Sequence, residues 1–189
     1  DYFGPLVVCC AYVPEDLITK LQNMGIKDSK ALKDPEICQL ASQIEPLISH
    51  QVLILPNDKY NLMVDKGMNA NSIKAYLHNQ ALSKLTQSLS TYPDYLIMDE
   101  FVNERKYFEY LNSMPKKQTI IKENLYFVQK GEGVHVAVAA ASILARASFV
   151  KYMNIMSKKL NFHLPKGAGS PVDVAGRHFV KQFGSDKLK

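Results

Sequence analysis

Cysteine is scarce. The 189 residues hold three, Cys9, Cys10 and Cys38, with no metal-ligand spacing among them. That excludes a disulfide framework and a cysteine-built zinc centre, and it implies free thiols in a reducing compartment. Cys9 and Cys10 are adjacent, so on a strand they point to opposite faces, which suits structural thiols better than a nucleophile. Long apolar runs are missing too. The longest, Val134 to Leu144, is too short for a bilayer and reads as a buried, Ala-rich helix. A signal peptide is not expected from these opening residues. Internal repeats, low-complexity segments and Gly/Ser/Pro linkers are absent, so residues 1–189 are expected to form one domain. The expectation is a cytoplasmic monomer with no membrane partner.

What is present is a globular composition, 47% hydrophobic and 22% charged, with a net charge of +5. A positive balance favours an anionic partner, most commonly nucleic acid, although a mildly basic enzyme without one fits equally well. The basic residues are dispersed, with short clusters at Lys27, Lys30 and Lys33 and at Lys116 and Lys117.

The patterning predicts alternating strands and helices. Leu6 to Val13 is an unbroken β-rich run. Pro14-Glu15-Asp16 starts a helix that Gly25 ends, and Asp34-Pro35-Glu36 starts another with Ile37, Leu40, Ala41 and Ile44 inward. Gln51 to Leu55 is a strand and Asn57 to Val64 a short helix. Asn71 or Ser72 is expected to cap a helix running to about Leu89. Tyr95 to Met98 is a strand leading into Asp99, followed by a short helix from Glu104 to Leu111. Thr119 to Ile121 and Leu125 to Val128 are strand-like, the first more convincingly. Val134 to about Leu160 and Pro171 to Phe183 are helices. Such an order implies an α/β fold with a sheet covered by helices.

The chemistry concentrates at Asp99. An apolar strand ending in a carboxylate sets the acid at the carboxyl edge of a sheet, where ligands collect in open α/β folds. Alone, such an acid is more often a cap or a surface group. Glu132 adds context: glycines on both sides let the backbone bend closely around a ligand. It also stands near a helix N-terminus, where a capping role competes. Two carboxylates converging from different elements suit Mg²⁺, which takes oxygen ligands and retains waters. Lys130 would contact phosphate or offset Glu132.

Several motifs then fall in one order: Lys27-Asp28-Ser29-Lys30, Met68-Asn69, Lys74 to Asn79, Leu96 to Asp99, Lys130-Gly131-Glu132, His135 to Ser142, and Leu164 to Gly169. Together they resemble the type 2 ribonuclease H family, on its ribonuclease HIII side, over almost the whole chain. The resemblance implies a ribonuclease H-like mixed sheet flanked by helices. It implies endonucleolytic hydrolysis of the RNA strand of RNA/DNA hybrids by four acids with Mg²⁺ or Mn²⁺, leaving 5′-phosphate and 3′-hydroxyl ends. Asp99 and Glu132 match two of the acids and metal ligands, with Glu104 in reserve for Glu132. Lys27, Ser29, Lys30, Asn69, Lys74, His78, Asn79, Lys130 and Lys166 match substrate contacts. The family's remaining Asp-Glu pair precedes the Asp-Tyr-Phe-Gly-Pro segment on a first strand, and a separate N-terminal substrate-binding domain precedes that. Neither lies within these residues, so the 189 residues alone are expected to be inactive. A non-catalytic nucleic-acid-binding module on the same fold is the alternative.

Overall fold

The apolar run after Pro5 forms strand β1 (Leu6–Tyr12), which pairs antiparallel with β2 (Ser49–Leu55), Leu6 opposite Leu55 and Tyr12 opposite Ser49. The computed structural model describes residues 2–26, 32–114 and 118–188. Between the two strands lie α1 (Glu15–Asn23) and α2 (Asp34–Ile44), each opened by a proline and first-turn acids. After β2 come α3 (Asn57–Asp65) and α4 (Ala70–Ser88). Next are β3 (Leu96–Asp99), α5 (Glu104–Asn112) and β4 (Leu125–Val128). A three-ten turn (Gly131–Gly133) precedes α6 (Val136–Leu160), and α7 (Ser170–Phe183) follows before a last turn at Ser185–Leu188.

The period of two along β1 divides the core. Cys9, Ala11 and Val13 pack with Ile143 and Leu144 of α6 and with Ile37 and Ile44 of α2. Leu6, Val8 and Cys10 pack against Ile73, Leu77 and Ala81 of α4. The adjacent cysteines thus face opposite layers. Burial pushes both thiols up, Cys10 to about 12, so neither offers a thiolate. A third cluster joins Phe3 to Phe149, Phe179 and Val172, which seats α7 against the start of the chain. Gly4 is needed there, because a Cβ would stand 2.2 Å from the Phe149 ring.

Three expectations change. The mixed pairing is present, but among the described residues the strands form two ribbons: β1 with β2, and β3 with β4 in parallel register, Asp99 opposite Val128. A cleft of about 980 Å³ lies between them, lined by Val7 to Val13 on one side and Tyr95 to Asp99 on the other. The cap of α4 is Asn69, neither Asn71 nor Ser72: its Oδ1 accepts from Asn71 N and Ser72 N, and Ser72 Oγ accepts from Asn69 N. Thr119 to Ile121 pairs with no strand among the described residues; instead the side chain of Asn79 donates to Thr119 O and accepts from Ile121 N.

By length and composition α6 alone among the described helices could cross a membrane. Here that apolar character serves packing, since α6 lies against both β1 and α2.

Candidate active site

Alternation along β3 buries Leu96 and Met98 against α4 and α5 and turns Ile97 and Asp99 toward the cleft. Parallel pairing with β4 then carries the chain past Asp99, with Glu100 N donating to Val128 O at 2.8 Å. Lys130 takes a left-handed conformation (φ 54°), and the turn that follows brings Gly131 N to 2.8 Å from Asp99 Oδ1. Gly131 is required by close approach: a Cβ would meet Val128 Cγ2 at 2.8 Å and Asp99 Oδ1 at 3.6 Å. Gln129 Nε2 donates to Glu100 Oε2 at 3.1 Å, a second tie between loop and strand. Neither tie was visible in the sequence, because each joins positions about thirty residues apart.

The consequence is geometric. One oxygen of Asp99 is fixed by a backbone N–H, and Asp99 and Glu132 line the same cleft. Glu104 does not: it is exposed, at the first position of α5, whose N-terminus is capped by Asn103 Oδ1 accepting from Lys106 N. Two carboxylates with no thiolate beside them suit a hard divalent cation. Among the described residues no third His, Cys, Asp or Glu joins them in a metal-sized group, so these residues supply part of such a site.

On the facing helix α4, Lys74 and His78 are one turn apart and flank Phe101, two residues beyond Asp99. His78 stacks on the Phe101 ring at 5.3 Å, and Lys74 Nζ lies 5.9 Å from its centroid. Burial, and then Lys74, lower the His78 pKa to about 4 against the opposing pull of Asp99. His78 therefore offers a neutral imidazole to the cleft, not a cation.

The remaining sequence candidates disperse. Asn79 is wholly buried. Its Nδ2 donates to Thr119 O at 2.8 Å and Gln118 Oε1 at 3.2 Å, and its Oδ1 accepts from Ile121 N at 3.0 Å. This corrects its expected substrate contact: Asn79 holds the approach to β4 in place. Asn69 uses its carboxamide oxygen as the α4 cap. Lys130 is exposed beside the cleft loop. Lys166 pairs with Asp34 Oδ2 at 3.2 Å, and Arg146 Nε pairs with Asp34 Oδ1 at 3.0 Å. Lys27, Ser29 and Lys30 lie outside the described residues.

Strands in mixed pairing between helical layers, with an aspartate at the carboxyl end of a strand, define an α/β protein with a carboxylate-bearing cleft. The sequence profile of the family described as Ribonuclease HII matches residues 1–189, and the chain belongs to that family. It is 44% identical to Ribonuclease HIII of Listeria monocytogenes serotype 4b over 189 residues, and 44% identical over 190 residues to Ribonuclease HIII of Bacillus licheniformis. All of this chain is covered in both, but only 60% and 59% of those proteins. A crystal structure of Bst-RNase HIII in complex with Mn²⁺ superposes with a TM-score of 0.94 at 41% identity, covering all of this chain and 60% of that one. The chain thus spans about three-fifths of the length of these relatives.

Proposed function

We propose that the chain is the catalytic domain of an endoribonuclease that hydrolyses the RNA strand of RNA/DNA hybrids with Mg²⁺ or Mn²⁺. The observation that carries this reading is the fixing of Asp99 by Gly131 N–H, which sets Asp99 and Glu132 on one cleft. Family membership and the likeness to a Mn²⁺-bound ribonuclease HIII support it.

Asp99 and Glu132 would hold metal through carboxylate oxygens. The bound ions supply activation of the attacking water and charge neutralisation at the leaving 3′ oxygen. The chain's own residues do the rest. Gly131 N–H restrains Asp99 to one orientation, and the Gln129–Glu100 bond keeps the Glu132 loop against β3. Lys74 and Lys130 would meet phosphates, and His78 with Phe101 forms a neutral wall. The other two acids would come from a strand outside these residues, seated between β1 and β3. The cleft supports that reading, because Val7 to Tyr12 of β1 and all of β3 border it.

The test uses the protein with that strand present. Asp99→Asn should abolish Mg²⁺-dependent cleavage of a hybrid and weaken Mn²⁺ binding in calorimetry, while the melting temperature is kept. Undiminished cleavage by the variant would overturn the assignment.

A further inference from the structure

The chain sets two acids side by side where β3 ends, Asp99 and Glu100, and only the first borders the cleft. Side chains alternate along a strand, so Glu100 projects from the opposite face. Carrying the parallel register one residue further sets Glu100 beside Gln129, and Gln129 Nε2 donates to Glu100 Oε2 at 3.1 Å. The Glu100 backbone is tied as well, its N donating to Val128 O at 2.8 Å. Glu100 is thus engaged on the far side of the ribbon from the cleft that Asp99 and Glu132 share.

The side-chain bond lies at a joint in the chain. Before it, β4 is fixed by its ladder to β3. After it, Gly131 O accepts from Val134 N at 3.2 Å and from His135 N at 2.8 Å, so Gly131 to His135 is one piece with the start of α6. Between the two stands Lys130, at φ 54° and ψ 40°. A left-handed conformation is unfavourable for a residue with a Cβ, and lysine lacks the short polar side chain that eases it for Asn or Asp. Lys130 is exposed, so side-chain packing does not enforce that conformation. Hydrogen bonds on either side of it do: Gln129 to Glu100 before it, and Gly131 N to Asp99 Oδ1 after it. Loss of the first frees Lys130 to relax, and Glu132, two residues on, moves with it.

We propose that Glu100 and Gln129 are positioning residues for the metal site: their hydrogen bond keeps Lys130 left-handed and so holds the Glu132 carboxylate on the cleft beside Asp99. Neither residue touches the metal. The inference rests on the metal-dependent nuclease reading and gives Glu100 a part distinct from that of the acid next to it.

Calorimetric titration of the strand-complete protein with Mn²⁺ tests this, because position and charge predict opposite signs. Gln129→Glu sets two carboxylates against each other and breaks the bond, yet adds a negative charge near the cation. Charge alone would tighten Mn²⁺ binding; lost positioning should weaken it about tenfold, with the fold retained by circular dichroism. The swapped double variant, Glu100→Gln with Gln129→Glu, has the wild-type charge and restores the bond with donor and acceptor exchanged, so it should recover wild-type affinity. Gln129→Met removes the donor without adding charge and should also weaken binding, which decides the matter if Gln129→Glu fails to fold. Gln129→Glu that binds as tightly as wild type or more tightly overturns the proposal, as does a swapped variant no better than the single one. Lower melting temperatures in Gln129→Glu and Gln129→Met at unchanged Mn²⁺ affinity would show a bond that only braces the fold, and would overturn it too. Wild-type protein that binds no Mn²⁺ overturns this inference and the metal reading together. Wild-type binding that is indifferent to Gln129 overturns this inference alone.

Discussion

Replacing Asn79 by alanine should destabilise the protein by about 4 kcal/mol, although Asn79 reads as a polar residue on a helix surface. The carboxamide makes three hydrogen bonds in a site with no solvent exposure. At roughly 1 kcal/mol each they contribute about 3 kcal/mol. Truncation also leaves the Ile121 N–H buried without a partner, which costs roughly 1 kcal/mol or more. Asn79→Asp separates hydrogen bonding from volume. It keeps the acceptor for Ile121 N but sets an oxygen against Thr119 O and Gln118 Oε1. Burial and those two acceptors raise the new carboxyl's folded pKa above its unfolded value near ~3.9. A raised folded pKa gives stability that is present below the unfolded value and lost as pH rises through the folded one. The aspartate variant should therefore approach wild type in acid and fall furthest behind at neutral pH. Urea unfolding followed by circular dichroism reads this as a lower midpoint at unchanged slope. A loss under about 1 kcal/mol for Asn79→Ala, or a pH-independent deficit for Asn79→Asp, would refute the reasoning.

Tyr107 is wholly buried and its hydroxyl has no partner among the described residues, so Tyr107→Phe should be neutral or stabilise by about 1 kcal/mol; a clear loss in urea midpoint would show an unseen bond. Gly131→Ala forces the loop off Val128 and should draw the N–H from Asp99, lowering Mn²⁺ affinity of the strand-complete protein by about tenfold or more. Calorimetry showing wild-type affinity in that variant would remove the restraint from the argument. His78 has a folded pKa of about 4 against an ordinary 6.5. Its unfolded form therefore binds the extra proton, and stability should fall as pH drops from about 6.5 to about 4, by up to ~3 kcal/mol. The same pH series on His78→Gln should show a shallower slope, and identical slopes would exclude His78 as the source.

The fold was most legible where one period governs one element. β1, with its alternate residues facing two layers, and α2, with Ile37, Ala41 and Ile44 buried, follow directly from patterning. Boundaries failed where a side chain did the work of a backbone. Asn69 looked like part of a loop because the capping signal at Asn71 and Ser72 is equally strong; only the reciprocal bonds choose between them. Thr119 to Ile121 has strand propensity, yet propensity does not say whether the partner is another strand or, as here, one carboxamide.

Site residues divide along the same line. Asp99 and Glu132 could be singled out because a strand end and paired glycines are local signals, and both border one cleft. Polarity on α4 is a weaker guide, because a helix places Lys74, His78 and Asn79 within little more than one turn while burial separates them. Lys74 and His78 reach Phe101 beside the cleft; Asn79, one residue further on, points into the core. A hundred-degree step per residue is enough to turn a candidate ligand contact into a structural clamp. The Asp34–Arg146 pair shows the opposite case. It joins residues 112 apart with no local signal at either, and only the packing of α2 against α6 brings the two charges together.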